Sequence, residues 1–156
     1  MNHKLDSVRS LLRDQTTLVL ASNTEDGTPH CAPLFYIEDN LNLYWFSSRS
    51  SLHSRNCLRF PEASIAISTN ARTWQQSQGV QMRGRVTVVT DRALRKSLTA
   101  KYVERFALGN VFSLAIRRSA LYCFTPCWLR YLDNTRRFGY KFETSLPFPK
   151  SSASSI

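Results

Sequence analysis

Apolar residues recur with a helical period at the start of the chain and with a strand-like period through most of the rest. Residues 5–15 predict an amphipathic helix, because the apolar side chains share one side, at Leu5, Val8, Leu11 and Leu12. Residues 16–23 are β-branched and apolar, which favours a strand, and Glu25-Asp26-Gly27 supplies a turn. Two further strands, at 30–38 and 41–46, complete a predicted three-stranded meander.

A polar turn, 47–51, separates this meander from a short predicted helix over 52–60, which ends before Pro61. Strands are predicted at 63–68 and 80–89, and Gly84 in the second indicates a bulge or a close approach of another backbone. The longest predicted helix follows, with Thr90 as its cap and an apolar face formed by Leu94, Leu98, Tyr102 and Phe106. Two strands rich in aromatic residues, at 121–124 and 128–132, end the pattern; Thr125-Pro126 separates them, which predicts a hairpin or a bent strand pair.

These elements predict a mainly β protein: a small antiparallel barrel of six or seven strands with helical covers. A doubly wound sheet would need strands and helices in strict alternation, and the pattern lacks it. No linker rich in Pro, Gly or Ser divides the middle of the chain, so residues 1–144 are predicted to form one domain. The Ser/Pro-rich residues 145–156 are predicted to be a disordered tail.

The formal net charge of +10 raises three classes of partner: nucleic acid, an anionic membrane surface or a phosphorylated small molecule. The basic residues are dispersed in small groups rather than gathered in a tail, which makes a nucleic-acid binder the least favoured class. No apolar run is long enough to cross a membrane, and the first fifteen residues lack the pattern of a signal peptide. The chain is therefore predicted to be soluble and cytoplasmic, without a membrane partner.

The four cysteines are spread through a chain of ordinary size, so reduced thiols are predicted rather than disulfides. Cys123 and Cys127 have a spacing compatible with zinc, which His30 and Cys31 could complete. The favoured interpretation is two buried thiols that pack as small apolar side chains, with no metal site.

The most informative stretch for chemistry is 43–68, where an apolar strand leads into a turn rich in Ser and Arg and then into a helix. Hydroxyl groups, backbone N–H groups at a helix start and nearby cations are the groups that bind a phosphate monoester. Ser47, Ser48 and Ser51 are candidate donors, and the candidate charged groups are Arg49, His53 and Arg55. The alternative is a solvated turn with ordinary helix capping.

Segments on both sides extend this pattern, since 27–36 reads GTPHCAPLFY and 79–86 reads GVQMRGRV. Taken together, residues 5–133 resemble the pyridoxamine-phosphate-oxidase-like superfamily of FMN-binding split barrels. The GVQMRG stretch and the segment from Asp133 to Lys141, DNTRRFGYK, are similar to its YhbP-like branch. The resemblance implies a split barrel, a homodimer and FMN held at the dimer interface.

By position, the resemblance implies cofactor contacts along two parts of the chain. Isoalloxazine-edge contacts would come from Ala32 and Pro33, flavin and ribityl contacts from Phe46, Ser47 and Ser48, phosphate contacts from Ser51 and His53, and further contacts from Gln81 and Arg83 on a neighbouring strand. The oxidases of this superfamily carry Arg-Lys in the phosphate turn, where this chain has Leu52 and His53. Losing a permanent cation weakens attraction for phosphate unless Arg49 or Arg55 replaces it.

Two functions of different class follow from the resemblance. One is an FMN-dependent oxidoreductase acting on an unidentified small molecule, without the carboxyl-terminal Trp/Arg segment of the true pyridoxamine-phosphate oxidases. The other is a non-catalytic binding protein for FMN, another phosphorylated ligand or haem. Trp74 lies in a polar loop, where it is predicted to be a lid residue or a dimer contact. No catalytic acid or base is identifiable.

Overall fold

The computed structural model describes residues 2–147, so the predicted tail lies outside the described residues from 148 onward. In chain order the helices are α1 (Asn2–Asp14), α2 (Leu52–Arg59), α3 (Arg92–Arg105) and α4 (Asn110–Arg118). The strands are β1 (Thr17–Asn23), β2 (Pro29–Phe35), β3 (Ile37–Asp39), β4 (Asn42–Ser47), β5 (Glu62–Ser68), β6 (Gln78–Val88), β7 (Ala120–Asp133) and β8 (Lys141–Ser145). No helix within this range is long and apolar enough to span a membrane.

All strand pairs are antiparallel and form one curved sheet in the order β2-β1-β5-β6-β7-β4-β3, with β8 paired to β7. The prediction of a mainly β split barrel with helical covers is confirmed. Strand β7 is the longest and pairs with three others: with β4 through its first residues, with β6 along most of its length, and with β8 through its last. It therefore joins the two ends of the barrel.

The predicted strands at 121–124 and 128–132 are one continuous strand, and the break predicted at Pro126 is wrong. Pro126 lies opposite Gly84, where the register between β6 and β7 shifts. A proline is tolerated at such a bulge because its missing N–H leaves no ladder bond broken. Gly84 is required there, since an added Cβ would overlap Thr125 O and lie 2.8 Å from Phe124 Cζ. The close approach predicted at Gly84 is confirmed.

Four other features of the secondary structure differ from the sequence-based predictions. Helix α3 is capped by Asp91, whose carboxylate accepts a hydrogen bond from Leu94 N at 2.7 Å, and not by Thr90. Helix α4 and strand β8 were not predicted: α4 lies outside the apolar repeat of α3, and β8 alternates exposed and half-buried residues. The predicted strand at 30–38 is divided at Tyr36, whose hydroxyl donates to Leu12 O at 2.6 Å and ties the strand to α1.

The sheet has two faces with different side chains. The inner face carries the buried core, which includes Leu18, Leu20, Ile65, Met82 and Phe124 and is closed at one side by α1. We call the other side of β2, β1, β5 and β6 the outward face. Cross-strand partners place on it one row of Pro33, Val19, Ala66 and Gln81 and a second row of Cys31, Ala21, Ser64 and Arg83. Val19 and Phe35 on this face are large apolar side chains that remain exposed.

Candidate functional site

The serine-rich turn brings three predicted site residues into direct contact. Strand β4 ends at Ser47, and a turn leads to Ser51, the N-cap of α2. Ser47 Oγ lies 2.7 Å from His53 Nε2, Ser51 Oγ lies 3.1 Å from the same nitrogen, and the two hydroxyl oxygens are 3.2 Å apart. We call these three residues the hydroxyl–imidazole cluster. One ring nitrogen thus faces two hydroxyl groups at the start of a helix.

Ser51 also has the capping role that was the alternative interpretation of this turn. Its side chain accepts from Ser54 N at 3.4 Å and lies 2.9 Å from Ser48 O, to which its hydroxyl can donate. A hydroxyl has one proton, so Ser51 cannot donate to Ser48 O and to the cluster at the same time. The turn can therefore exchange hydrogen bonds without changing its backbone.

His53 is the ionisable member of the cluster. Its partial burial and, to a smaller degree, the neighbouring His30 lower the pKa of His53 below the usual value for histidine. The imidazole is accordingly neutral at neutral pH, and its Nε2 can accept from a hydroxyl or donate to one, depending on the tautomer. The permanent positive charges next to the cluster in sequence are Arg49 in the turn and Arg55 on α2, which are both exposed; Arg55 lines a cleft with Leu52 and the β1–β2 turn.

The other predicted contacts are divided between separate surfaces. Phe46 packs edge-on against Tyr102 of α3, with ring centroids 5.1 Å apart, on the side of β4 opposite to Ser47. Ser48 is exposed and pairs with Ser50. Ala32 is buried against the core, while its neighbour Pro33 is exposed on the outward face.

Gln81 and Arg83 lie on the outward face of β6, and neither has a hydrogen bond to the hydroxyl–imidazole cluster. The Arg83 guanidinium stacks over the Trp128 ring at 4.3 Å, and Arg85 beside it pairs with Glu62. A cleft of about 950 Å³ opens on this face, with Arg83, Arg85, Ser64 and Thr125 among its lining residues. The predicted contacts are therefore divided between the turn after β4 and the outward face of β6.

Comparison with known proteins agrees with this geometry. A sequence model described as pyridoxamine 5'-phosphate oxidase matches residues 5–133, which is most of the chain. The chain belongs to the pyridoxamine 5'-phosphate oxidase family. No curated protein sequence matches it.

Among solved structures, this family member resembles a conserved hypothetical protein of Mycobacterium tuberculosis with a TM-score of 0.76, at 16% identity over 87% of each chain. It resembles a haem-binding protein of Mycobacterium smegmatis with a TM-score of 0.77, at 17% identity over 93% of this chain and 59% of that one. It also resembles HutZ, the haem storage protein of Vibrio cholerae, with a TM-score of 0.66, at 18% identity over 78% of this chain and 88% of that one. Identities this low establish a shared fold alone.

The far end of β7 carries a second ordered feature, formed by the loop before β6 and the loop before β8. Trp74 and Phe138 meet edge to face with ring centroids 5.2 Å apart, although 56% and 78% of their surfaces are exposed. Asn134 joins the loops, because its side chain donates to Trp74 O and accepts from Gly139 N, both at 2.9 Å. We call Trp74, Phe138 and the residues that hold them the aromatic tip.

Asp133 anchors this tip from below. It is 3% exposed and accepts hydrogen bonds from Thr135 N at 3.0 Å, from Thr135 Oγ1 at 2.6 Å and from Arg136 Nε at 3.1 Å. Burial alone would raise the pKa of Asp133, but hydrogen bonds from Thr135 and Gln78 outweigh it and hold the pKa below the usual value. The sequence analysis singled out DNTRRFG and Trp74 as separate features, and no pattern in the sequence predicted their contact.

All four cysteines are free thiols. Cys57 is buried in the core, where burial raises its pKa to about 11, and burial also raises the pKa of Cys123. Within residues 2–147, no group of three or more potential metal ligands lies together.

Proposed function

We propose that this chain is an FMN-binding redox protein that acts on a small molecule in the cytoplasm. The observation that carries the proposal is the hydroxyl–imidazole cluster at the start of α2, in a chain of this family. Two hydroxyls, the free N–H groups of a helix start and two nearby arginines suit a phosphate monoester. FMN, when bound, supplies hydride or electron transfer, and the protein supplies placement and electrostatics.

The phosphate turn fits FMN with fewer cations than the family's oxidases have. His53 is neutral at neutral pH because its pKa is lowered, and Leu52 carries no charge. Attraction for the phosphate dianion then depends on Arg49, Arg55 and the helix start. We expect FMN to bind reversibly and to be lost partly during purification.

A second copy of the chain completes the proposed site. Gln81 and Arg83 face outward from β6 and have no hydrogen bond to the cluster of their own chain, so we propose that they contact an FMN bound at the cluster of another copy. The outward face suits such a contact, since Val19 and Phe35 are exposed on it and small residues such as Ala21 and Ser64 line the cleft beside Arg83. We therefore propose a homodimer with outward faces packed together.

Oxidation of pyridoxamine phosphate is not the proposed reaction. The segment after β7 is the DNTRRFG loop and the short strand β8, not the Trp/Arg segment of the true oxidases. On the same loop and the GVQMRG stretch we propose that the chain is a member of the YhbP-like branch.

Haem is the second candidate ligand, and one observation favours it. His30 lies on β2, which contacts α2, and it contributes to lowering the pKa of His53, so a second imidazole interacts with the cluster. A neutral imidazole nitrogen is a common axial ligand of haem iron. Two structural neighbours are described as haem-binding or haem-storing proteins.

Absorbance spectroscopy tests the proposal directly. The purified protein is scanned before and after FMN addition and desalting, and FMN affinity is then titrated for wild type and for Ser47→Ala. Ser47 is the cleaner target because it does not cap α2, whereas Ser51 does. We expect Ser47→Ala to weaken FMN binding roughly tenfold, the loss of one hydrogen bond to a charged group.

The matched control is Ser97→Ala, an exposed serine on α3. Equal FMN occupancy in wild type and Ser47→Ala would show that the hydroxyl–imidazole cluster does not bind FMN. A Soret band after haemin addition, lost in His30→Ala or His53→Ala, together with no retained flavin, would favour haem over FMN.

A further inference from the structure

We propose that the aromatic tip of one copy forms the outer wall of the FMN site in a second copy; this inference rests on the proposed function. Trp74 and Phe138 are the side chains of that wall, and Asn134 and Asp133 hold them in place. The partner is thus a second copy of this chain, which contributes aromatic surface to the site.

The tip and the cluster of one chain lie at opposite ends of β7. Ser47 pairs with Ala120 at the first residue of β7, and Gln78 pairs with Asp133 at the last. The thirteen residue steps between these pairs correspond to about 40 Å along the strand. Within one chain, the cluster therefore lies beside the first residue of β7 and the tip beside its last residue.

The tip is built to present its rings rather than to bury them. Phe138 is the most exposed of the large apolar side chains among the described residues, yet its loop is ordered by the Asn134 and Asp133 hydrogen bonds. Arg136 adds a second anchor, since its guanidinium donates to Ser7 of α1 at 2.8 Å. An exposed aromatic pair on an ordered loop is the kind of surface that contacts a partner.

The symmetry of the proposed dimer sets which end faces which. Two sheets packed face to face are related by a two-fold axis in the plane between them, and the two limiting directions of that axis are along the strands and across them. An axis along the strands places like ends together and keeps Gln81 away from the partner's cluster. An axis across the strands brings opposite ends together and places Gln81 beside that cluster.

With this axis, the tip lies on the same side of the partner's site as Gln81. Gln81 lies three residues after Gln78, where β6 begins, which is about 10 Å along the strand. Trp74 and Phe138 lie in the two loops at that same end of the sheet. If Gln81 meets the partner's FMN, the aromatic tip is the next protein surface beyond it.

Cross-linking tests this placement without any cofactor. Two tagged forms are coexpressed, one with Phe138→Cys and the other with Ser50→Cys, which lies in the exposed turn before α2. Both carry Cys31→Ser and Cys127→Ser, because Cys31 is an exposed native thiol and Cys127 lines the cleft on the outward face. The mixed dimer is treated with a short bismaleimide, and the linked peptides are mapped. The same mixture unfolded in urea controls for collisional linking.

We expect a link between position 138 of one copy and position 50 of the other in the folded mixture alone. A link between two copies of Phe138→Cys would mean that like ends meet, and it would overturn the inference. A monomeric protein, or a dimer without either link, would overturn it as well. If the expected link forms while wild type fails to bind FMN, the proposed function fails and the placement of the tip stands.

A second measurement uses the fluorescence of added FMN. An indole ring in contact with a flavin quenches its emission, so Trp74→Ala is expected to raise the fluorescence of bound FMN above that of wild type through loss of ring contact. Gln75→Ala, an exposed neighbour, is the matched control. Unchanged emission of FMN bound to Trp74→Ala would contradict the proposed wall.

Discussion

The two ends of β7 carry side-chain clusters that are assembled in different ways. At the first end, Ser47, Ser51 and His53 lie within seven residues of sequence and contact one another directly. At the second end, Trp74 and Phe138 come from loops more than sixty residues apart and are joined by Asn134. The first arrangement is a local motif, whereas the second exists only because β6 and β7 pair in register. The cluster therefore depends mainly on neighbours in the sequence, and the tip depends on the pairing of distant strands.

The largest expected effect comes from breaking the strand pair that joins the two ends. Gly84→Ala places a Cβ against Thr125 O and 2.8 Å from Pro126 Cα, both backbone atoms that cannot move independently of β7. Overpacking of this kind costs about 3 kcal/mol of unfolding free energy. The check is the midpoint of urea unfolding. Gly109→Ala is the control, since nothing lies within 4 Å of an added Cβ there; equal losses in both variants would show that the approach at Gly84 is not rigid.

A smaller effect is expected from the anchor of the tip alone. Asp133→Asn keeps the shape but removes the charge that accepts from Thr135 and Arg136, which costs roughly 1–3 kcal/mol at neutral pH. Because folding lowers the pKa of Asp133, its stabilising contribution is present above the unfolded carboxylate pKa of about 4 and is lost as pH falls through the folded value. The difference between the two proteins should therefore shrink on acidification.

Urea unfolding at several pH values measures this difference. Asp91→Asn serves as the control, because Asp91 is an exposed helix cap whose carboxylate accepts from Leu94 N. A difference between wild type and Asp133→Asn that stays constant or grows toward acid pH would contradict the role given to the Asp133 charge.

Much of the fold could be predicted from periodicity because most strands alternate buried and exposed residues. Strand β5, for example, alternates along its whole length, and its burial follows its sequence pattern. Helix α4 and strand β8 escaped prediction because neither carries a long apolar repeat. Pro126 suggested a break in β7 because the bulge that accommodates it is formed by Gly84, some forty residues away.

In the candidate site, too, contacts between sequence neighbours were predictable and contacts between distant elements were not. Ser47, Ser51 and His53 were predicted together because a strand, a turn and a helix start place near neighbours side by side. The sequence could not tell that Phe46 points toward α3, since that depends on where a later helix packs. Nor could it place His30 beside His53, which requires β2 and α2 to meet across the barrel.

The smallest of these predicted effects sharpens the comparison at the cluster end. His53→Lys restores a permanent cation to the phosphate turn and is expected to tighten FMN binding by roughly tenfold at neutral pH. Burial and His30 lower the pKa of His53, so the wild-type imidazole gains its charge only as pH falls through that lowered value. The affinity ratio of variant to wild type should therefore be largest at neutral pH and shrink toward acid pH, where the imidazole gains a charge and the FMN phosphate loses one. Fluorescence titration of FMN gives both affinities, with Arg105→Lys on α3 as a control that keeps its charge. An unchanged affinity in His53→Lys at neutral pH would mean that the phosphate does not contact this position.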